Sequence, residues 1–365
     1  MEVYKNISDL RVGIILLEDV FANTKYPIMR KNTELSFEHI EVLRDFGLKR
    51  IKVEERVAKK ELSEVDQNAP VNPEDILENI PMNQYLLRKQ YTDAVRAYEK
   101  EFSNWRAGIK PDIVKVREFI VPLVEQYTKQ KDMLGMLNEF SIPEDYLYHH
   151  SVAVGILSAA ISNQMGMDKG EVLQLGLAGA LADCGMAKID PTILRKTAFL
   201  TKEEYNEVKK HTLFSLKMIQ DTPLLRQEMK MAILQHHERL DGSGYPRGDR
   251  MDAISVHSQI IAVADVFHAM TTERLYRPKN SPFKVIEMIK EEEFGKFDLK
   301  VVEALHKLIG HLSIGTRVKL TDGELGEIMF VHRDAPLRPM VKKKSNGMMI
   351  DLTTNRNLAI AKILD

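Results

Sequence analysis

Cysteine is almost absent from this sequence, which has Cys184 alone among its 365 residues. A single thiol excludes an intramolecular disulfide and any zinc site built from several cysteines, and we expect a reducing, cytoplasmic environment. No apolar run approaches the ~18 residues that a membrane-spanning helix needs, and the N-terminus lacks the basic start of a signal peptide. The 52 Lys and Arg residues balance 53 Asp and Glu residues, so the overall charge does not indicate a DNA-binding protein.

The sequence pattern changes twice along the chain. Residues 1–55 alternate short apolar runs with turn signals, which predicts a small α+β module. From about residue 73 to residue 312 the periodicity is helical almost throughout, and a long amphipathic helix is predicted to begin at Met82. Residues 313–365 contain five short strand candidates. We therefore predict a mainly α fold, in which a central helical bundle lies between a small N-terminal α+β module and a small C-terminal β-barrel-like module.

The most informative string runs from His236 to Pro246 and reads HHERLDGSGYP. Packing does not explain a double histidine at the end of a predicted helix that is followed by two glycines and Tyr245. Glycine permits backbone turns that other residues resist, and Pro246 stiffens the exit from the loop. We expect a loop with this composition to position functional groups.

This string closely resembles the signature HHExxDGxGYP of the HD-GYP proteins, a branch of the HD-domain metal-dependent phosphohydrolases. The resemblance extends over residues 115–312. It divides the chain into residues 1–55, a linker and long connecting helix at 56–114, the HD-GYP-like domain at 115–312 and residues 313–365. Further matching stretches are residues 145–151, 181–185, 193–194, 200–204, 260–267, 274–277 and 297–298.

The resemblance implies an all-helical bundle that holds metal ions, usually iron or manganese, and hydrolyses cyclic di-GMP. It gives Asp183 the role of a catalytic carboxylate that bridges two metals. Imidazole and carboxylate donors suit such ions, and two cations about 3.5–4 Å apart can hold a phosphodiester for hydrolysis. The metal ligands that it implies are His150, Asp183, His211, His236, His237 and Asp265, and the implied nucleotide contacts are Tyr245, Arg274 and Arg277.

Four positions depart from the family pattern. Ala182 replaces the histidine of the HD pair, and Met186 replaces a lysine that would stabilise charge on the phosphate. Tyr146 replaces an acidic residue, and a neutral phenol is a poor metal ligand. His268 replaces an aspartate; because it shares a helix face with Asp265, it is a candidate substitute ligand. We expect one or two iron or manganese ions, and reduced occupancy is left open.

Three functions remain open at this point. The first is an HD-GYP protein that binds cyclic di-GMP, a related nucleotide or a signalling partner and has weak or absent phosphodiesterase activity. The second is an active metal-dependent phosphodiesterase that yields pGpG or GMP. The third is a metal-free structural interaction module. A homodimer is also left open, whereas we expect neither DNA binding nor a membrane span.

Overall fold

The computed structural model divides into two compact units, Met1–Tyr85 and Leu86–Asp365. The domain boundaries drawn from the sequence stay predictions, and the linker at 56–72 lies outside the described residues. The structure describes residues 2–6, 10, 14–21, 29–31, 33, 35, 39–40, 43, 50–54, 82–129, 137, 145–196, 198–272, 280–291, 295–310 and 312–364.

The N-terminal unit contains a three-stranded antiparallel sheet. Its strands are β1 (Glu2–Asn6), β2 (Ile15–Leu16) and β3 (Arg50–Glu54), and β3 lies between the other two. Val53 pairs with Val3 on one side and with Leu16 on the other. Apolar side chains such as Leu16 and Val53 are fully buried, so this unit has a small core of its own.

The second unit is built mainly from helices, as the sequence predicts. A short 3-10 helix, Cys184–Lys188, follows α4. None of the helices that the structure describes combines the length and the apolar character that a bilayer crossing requires. The α-helices are α1 (Met82–Arg106), α2 (Ile113–Tyr127), α3 (Tyr146–Gln164), α4 (Lys169–Leu181), α5 (Pro191–Leu194), α6 (Lys202–Lys209), α7 (His211–Ile219), α8 (Gln227–Gln235), α9 (Val256–Thr271), α10 (Pro282–Glu291) and α11 (Leu299–Ile309).

Helix α3 lies at the centre of this unit and packs against α2, α4, α9 and α11. Small residues let α3 and α4 approach closely. A Cβ added to Gly155 would lie 2.7 Å from the carbonyl oxygen of Gly176, and one added to Gly179 would lie 2.9 Å from that of Val154. Larger residues would push the two helices apart. This close packing fixes the distance between His150 on α3 and Asp183, which follows α4.

The C-terminal strands are β4 (Arg317–Leu320), β5 (Leu325–Phe330), β6 (Met340–Lys343), β7 (Met349–Asp351) and β8 (Ile360–Leu364). They form a five-stranded antiparallel sheet in the order β7-β6-β5-β4-β8. The mainly helical fold with a small module at each end is confirmed. Because β7 and β8 are the two edges, the described part of this module is an open sheet and not a closed barrel.

Two polar contacts join the C-terminal sheet to α10. The guanidinium of Arg338 forms a two-pronged ion pair with Glu287 and also donates to the carbonyl oxygen of Leu352. Immediately before α10, the hydroxyl of Ser281 donates to the carbonyl oxygen of Ile360. The planar arginine fork suits bidentate pairing with a carboxylate. The C-terminal module is thus attached to α10 at its start and at its middle.

Candidate metal centre

A tight turn between α4 and the 3-10 helix positions Asp183. The Ser215 hydroxyl accepts from the backbone N–H of Gly185 (2.8 Å) and donates to the carbonyl oxygen of Ala182 (2.7 Å). A Cβ at Gly185 would overlap the carbonyl oxygen of His211, so only glycine lets the turn approach α7 this closely. The carboxylate of Asp183 is thereby held against the helix that carries His211.

Backbone carbonyl groups fix the orientation of two histidine rings. His211 Nδ1 donates to the carbonyl oxygen of Val208, and His236 Nδ1 donates to that of Ile233, both at 2.7 Å. In its neutral form, each ring therefore carries its proton on Nδ1 and presents the Nε2 lone pair. Such backbone contacts are typical of histidines that bind metal through the other nitrogen.

These two lone pairs face each other and a carboxylate oxygen. The Nε2 atoms of His211 and His236 lie 3.4 Å apart, and they lie 3.1 and 3.5 Å from Asp183 Oδ1. That oxygen is buried and has no hydrogen-bond partner among the described residues. Three electron-rich atoms at this spacing repel one another unless a cation lies between them. The arrangement therefore fits a metal ion.

His237 completes a set of four donors. Asp183, His211, His236 and His237 each offer one ligand atom, and these atoms lie within 4.8 Å of one another. Donor atoms that each lie about 2.1 Å from a common ion are about 3–4 Å from one another, which is comparable to the spacing of these four ligand atoms. Three imidazoles and one carboxylate suit Fe, Mn²⁺ or Zn²⁺.

The protonation states of this set agree with metal binding. Burial holds the pKa of His237 well below its ordinary value, so the ring is neutral and keeps a lone pair. Burial raises the pKa of Asp183, but hydrogen bonds and positive charge from His211 and His236 in their protonated forms outweigh that effect and hold the pKa well below its ordinary value, and a cation between these residues would act in the same direction. An ionised carboxylate and neutral imidazoles are the forms that bind cations.

A second group of donors adjoins this set. His150 Nε2 lies 2.9 Å from Asp265 Oδ1 and 3.7 Å from Asp183 Oδ2. Asp265 Oδ2 lies 3.6 Å from His237 Nδ1. The structure thus brings together all six residues for which the sequence implied a ligand role. It supports the geometry of that expectation, while the role of each residue as a ligand stays a prediction.

The positions that depart from the family pattern lie beside this cluster. Ala182 is buried and borders a small hollow, and Met186 on the 3-10 helix packs against the apolar core. Ala182 offers no metal donor, and Met186 offers a soft thioether sulfur and no positive charge. The residues that line the hollow are His150, Ser151, Val154, Gly179, Ala182, Asp183, His236 and Asp265.

Tyr146 and His268 both contact His150. The Tyr146 hydroxyl and His268 Nδ1 each lie 3.0 Å from His150 Nδ1, and His268 Nε2 lies 3.3 Å from the hydroxyl of Thr272. Both ring nitrogens of His268 therefore face groups outside the four-donor set. Its proposed role as a substitute ligand stays a prediction. His149, the other neighbouring histidine, has its ring 5.7 Å from that of Tyr91.

The loop after the histidine pair folds back onto that pair. The backbone N–H of Tyr245 donates to the carbonyl oxygen of His237 (3.1 Å), and the two rings stack with centroids 4.7 Å apart. A Cβ at Gly244 would overlap the same carbonyl oxygen, so the close return requires glycine. Burial raises the pKa of Tyr245, which keeps its hydroxyl neutral. Arg274 and Arg277, the other implied nucleotide contacts, lie outside the described residues.

Two supporting residues were not found from the sequence. Glu238 is fully buried, and its Oε1 accepts from the backbone N–H groups of Arg247 (2.7 Å) and Gly248 (3.1 Å). It thereby ties the far side of the loop to the helix end that carries the histidines. Its place in the signature was a signal for this role. Ser215, which braces the Asp183 turn, had no comparable signal because its partners are backbone groups distant in sequence.

Comparisons with known proteins agree with this geometry. Residues 130–301 match the family model described as HD domain. The chain is 31% identical over 241 residues to cyclic di-GMP phosphodiesterase PA4108 of Pseudomonas aeruginosa, covering 66% of this chain and 58% of that protein. It is 34% identical over 241 residues to a cyclic di-GMP phosphodiesterase of Thermotoga maritima, covering 62% of this chain and 63% of that protein. The chain thus spans less than two thirds of the length of these relatives.

A solved structure has a similar fold. The HDG"Y"P protein Bd1817 of Bdellovibrio bacteriovorus superposes with a TM-score of 0.55 and 17% sequence identity. The match covers 85% of this chain and 99% of that one. At this identity the likeness establishes a shared architecture and leaves the chemistry to the residues of the site.

Proposed function

Since the chain belongs to the HD-GYP branch of the HD domain proteins, we propose that it binds cyclic di-GMP at a metal-dependent site with weak or absent phosphodiesterase activity. One observation carries this proposal. Asp183 and the three imidazoles of His211, His236 and His237 converge on one point, while the adjacent Ala182 supplies no donor. The site thus keeps four donors for an ion but lacks the histidine and the lysine that Ala182 and Met186 replace.

The residues of the site have distinct roles in this proposal. Asp183, His211, His236 and His237 hold the metal, and His150 and Asp265 border it on the other side. Bound there, a divalent ion supplies Lewis-acid stabilisation of a phosphodiester. The neutral ring of Tyr245 provides a stacking surface and a hydrogen-bonding hydroxyl for the nucleotide. Arg274 and Arg277 pair with its phosphates or guanine edges.

We expect hydrolysis to be weak because of the rate and affinity losses that such substitutions usually cause. Removal of one preorganised electrostatic stabiliser costs about 10²–10³ in rate, and Met186 lacks the charge of the lysine in that position. Loss of even an outer partner of a metal site costs about 10–100-fold in affinity or activity, and Ala182 removes a direct ligand. Together these two changes leave binding favoured over turnover.

An active phosphodiesterase that yields pGpG or GMP is the second candidate. The specific observation in its favour is that all four donors of the set are brought together, with Asp183, His211 and His236 buried. A metal-free interaction module is the third candidate, and the facing lone pairs of His211 and His236 argue against it because a metal ion between them relieves their repulsion.

Purified protein separates these candidates. We would measure bound metal, then incubate the full chain with cyclic di-GMP and Mn²⁺ or Fe²⁺ while following both binding and product. The proposal expects metal and nucleotide binding with little pGpG or GMP. Rapid product formation that Asp183→Ala abolishes would establish the active enzyme instead. A chain that binds neither metal nor nucleotide would support the interaction module.

A further inference from the structure

A lysine ammonium lies at the edge of the metal centre and has no carboxylate partner among the described residues. Lys209 is the last residue of α6 and precedes His211 by two positions. Its Nζ lies 4.7 Å from the ring centroid of Tyr205 and 5.3 Å from that of Tyr245. Both distances are within the range of a cation–π contact. The side chain is half-buried, so solvent still reaches this position.

Neighbouring lysines are paired in the usual way. Lys210 Nζ lies 2.5 Å from Glu207 Oε2, and Lys196 Nζ lies 2.7 Å from Glu204 Oε2. In the part of the chain that the structure describes, Lys209 has no such ion pair. Aromatic faces attract an ammonium but accept few of its three N–H bonds. Lys209 therefore keeps donors for an anion that enters the site.

The ring of Tyr245 connects this cation to the metal centre. One ring contacts both the ammonium of Lys209 and the imidazole of His237, whose centroid is 4.7 Å away. His211 also lies near this ring, with its ring centroid 6.3 Å from that of Tyr245. An anion drawn to the metal would thus approach Lys209 as well.

Other cations around the centre are engaged elsewhere. Lys188 Nζ donates to the carbonyl oxygen of Trp105 (2.8 Å). Arg239 donates to the carbonyl oxygens of His236 and Glu238 and lies over the ring of Phe297, so it braces the loop. Met186 is uncharged. Among these positions, Lys209 is the one with a free positive charge beside the site.

We propose that Lys209 is a binding residue for phosphate, which contacts a phosphodiester oxygen of the nucleotide and supplies a positive charge that Met186 does not. This inference rests on the proposed nucleotide-binding function and assigns that function a further residue. Tyr205 and Tyr245 hold the ammonium in place before the substrate arrives, which lowers the entropy cost of binding.

The test compares Lys209→Gln with Lys210→Gln in the full, Mn²⁺-loaded chain. The two lysines are adjacent, and Lys210 is exposed and paired with Glu207, so it is a matched control. Calorimetry would give the dissociation constants of two probes, cyclic di-GMP and inorganic phosphate. We expect Lys209→Gln to weaken both by about tenfold, a typical effect of losing one charged hydrogen bond. Lys210→Gln should change neither, and Lys209→Arg should retain most of the affinity.

The outcomes separate this inference from the proposed function. Equal binding of both probes by wild type and Lys209→Gln would overturn the role of Lys209 and leave nucleotide binding intact. If wild type binds phosphate but not cyclic di-GMP, and Lys209→Gln weakens phosphate, the nucleotide proposal fails while the phosphate role holds. A metal-loaded wild type that binds neither probe overturns both. Unchanged metal content and melting temperature would show that each variant is folded.

Discussion

The Nδ1 atoms of His150 and His268 lie 3.0 Å apart in the buried centre of the fold. A contact of this length requires one ring to donate and the other to accept. If His268 donates, His150 carries its proton on Nε2 and directs it at Asp265. If His150 donates, its Nε2 lone pair is free for a cation. The position of the proton on His268 thus decides whether His150 Nε2 donates a hydrogen bond or can bind a cation.

We expect His268→Ala to destabilise the fold and to loosen His150. The substitution removes one of two partners of His150 Nδ1, since the Tyr146 hydroxyl remains beside that nitrogen. Loss of the hydrogen bond costs about 0.5–1.5 kcal/mol of unfolding free energy, in addition to the cost of the cavity that the substitution creates. Chemical denaturation checks this. His257→Ala is the control, since that ring contacts Glu171 away from the metal centre. Equal stability of the two variants would show that His268 does not hold His150.

Removal of a member of the four-donor set should remove the metal. His236→Ala deletes one of the two Nε2 lone pairs that face Asp183. We expect at least the ~10–100-fold drop in metal affinity that changes around a metal site produce. Metal analysis after dialysis against a weak chelator measures this, again with His257→Ala as the control. Unchanged metal content in His236→Ala would contradict a site at these residues.

The brace on the Asp183 turn predicts a linked loss of stability and metal affinity. Ser215→Ala leaves the backbone N–H of Gly185 and the carbonyl oxygen of Ala182 without their partner, at a cost of about 1–3 kcal/mol. Ser162→Ala is a matched control, because that buried hydroxyl bonds within its own helix to Ala159. Thermal denaturation and metal titration should both distinguish the two variants. A Ser215→Ala protein that binds metal as tightly as wild type would show that the turn needs no such brace.

Restoring the two lost groups should raise hydrolysis. We expect Ala182→His with Met186→Lys to increase turnover of cyclic di-GMP by about 10²-fold or more, since each group is one of the stabilisers discussed above. The hollow beside Ala182 is too small to hold a water molecule, so the new ring must displace its neighbours, and such overpacking costs about 1–3 kcal/mol. The control is Met186→Leu, which keeps size and adds no charge. A folded, metal-loaded double variant with no gain would indicate that the missing activity has another cause.

Much of the fold follows from local patterns in the sequence. The period of α2 predicts Ile113–Tyr127, the bounds that the structure shows. The helix that contains His150 carries small and apolar residues along most of its length, and it is buried at the centre, as its composition indicates. The closure of the C-terminal strands could not be judged in this way, because strand pairing depends on partners far apart in the sequence.

Site residues that belong to a sequence motif could be predicted. Residues that act through tertiary contacts, including hydrogen bonds to distant backbone groups, could not. The string from His236 to Pro246 pointed to Tyr245 and to the histidine pair. The local sequence does not indicate that the Ser215 hydroxyl bonds to the backbone of Gly185, or that the Lys209 ammonium lies beside the ring of Tyr245. Those contacts arise only when separate helices pack together, so they belong to the tertiary structure.

The backbone of the Asp183 turn can be conserved in evolution independently of the side chain at position 182. Ser215 accepts from Gly185 and donates to the main-chain oxygen of Ala182, and neither bond depends on the side chain at position 182. A lineage could therefore exchange the imidazole for a methyl group while the turn kept both of these hydrogen bonds. Genetic drift at that codon would leave the brace on the turn intact and would act on side-chain packing and on turnover.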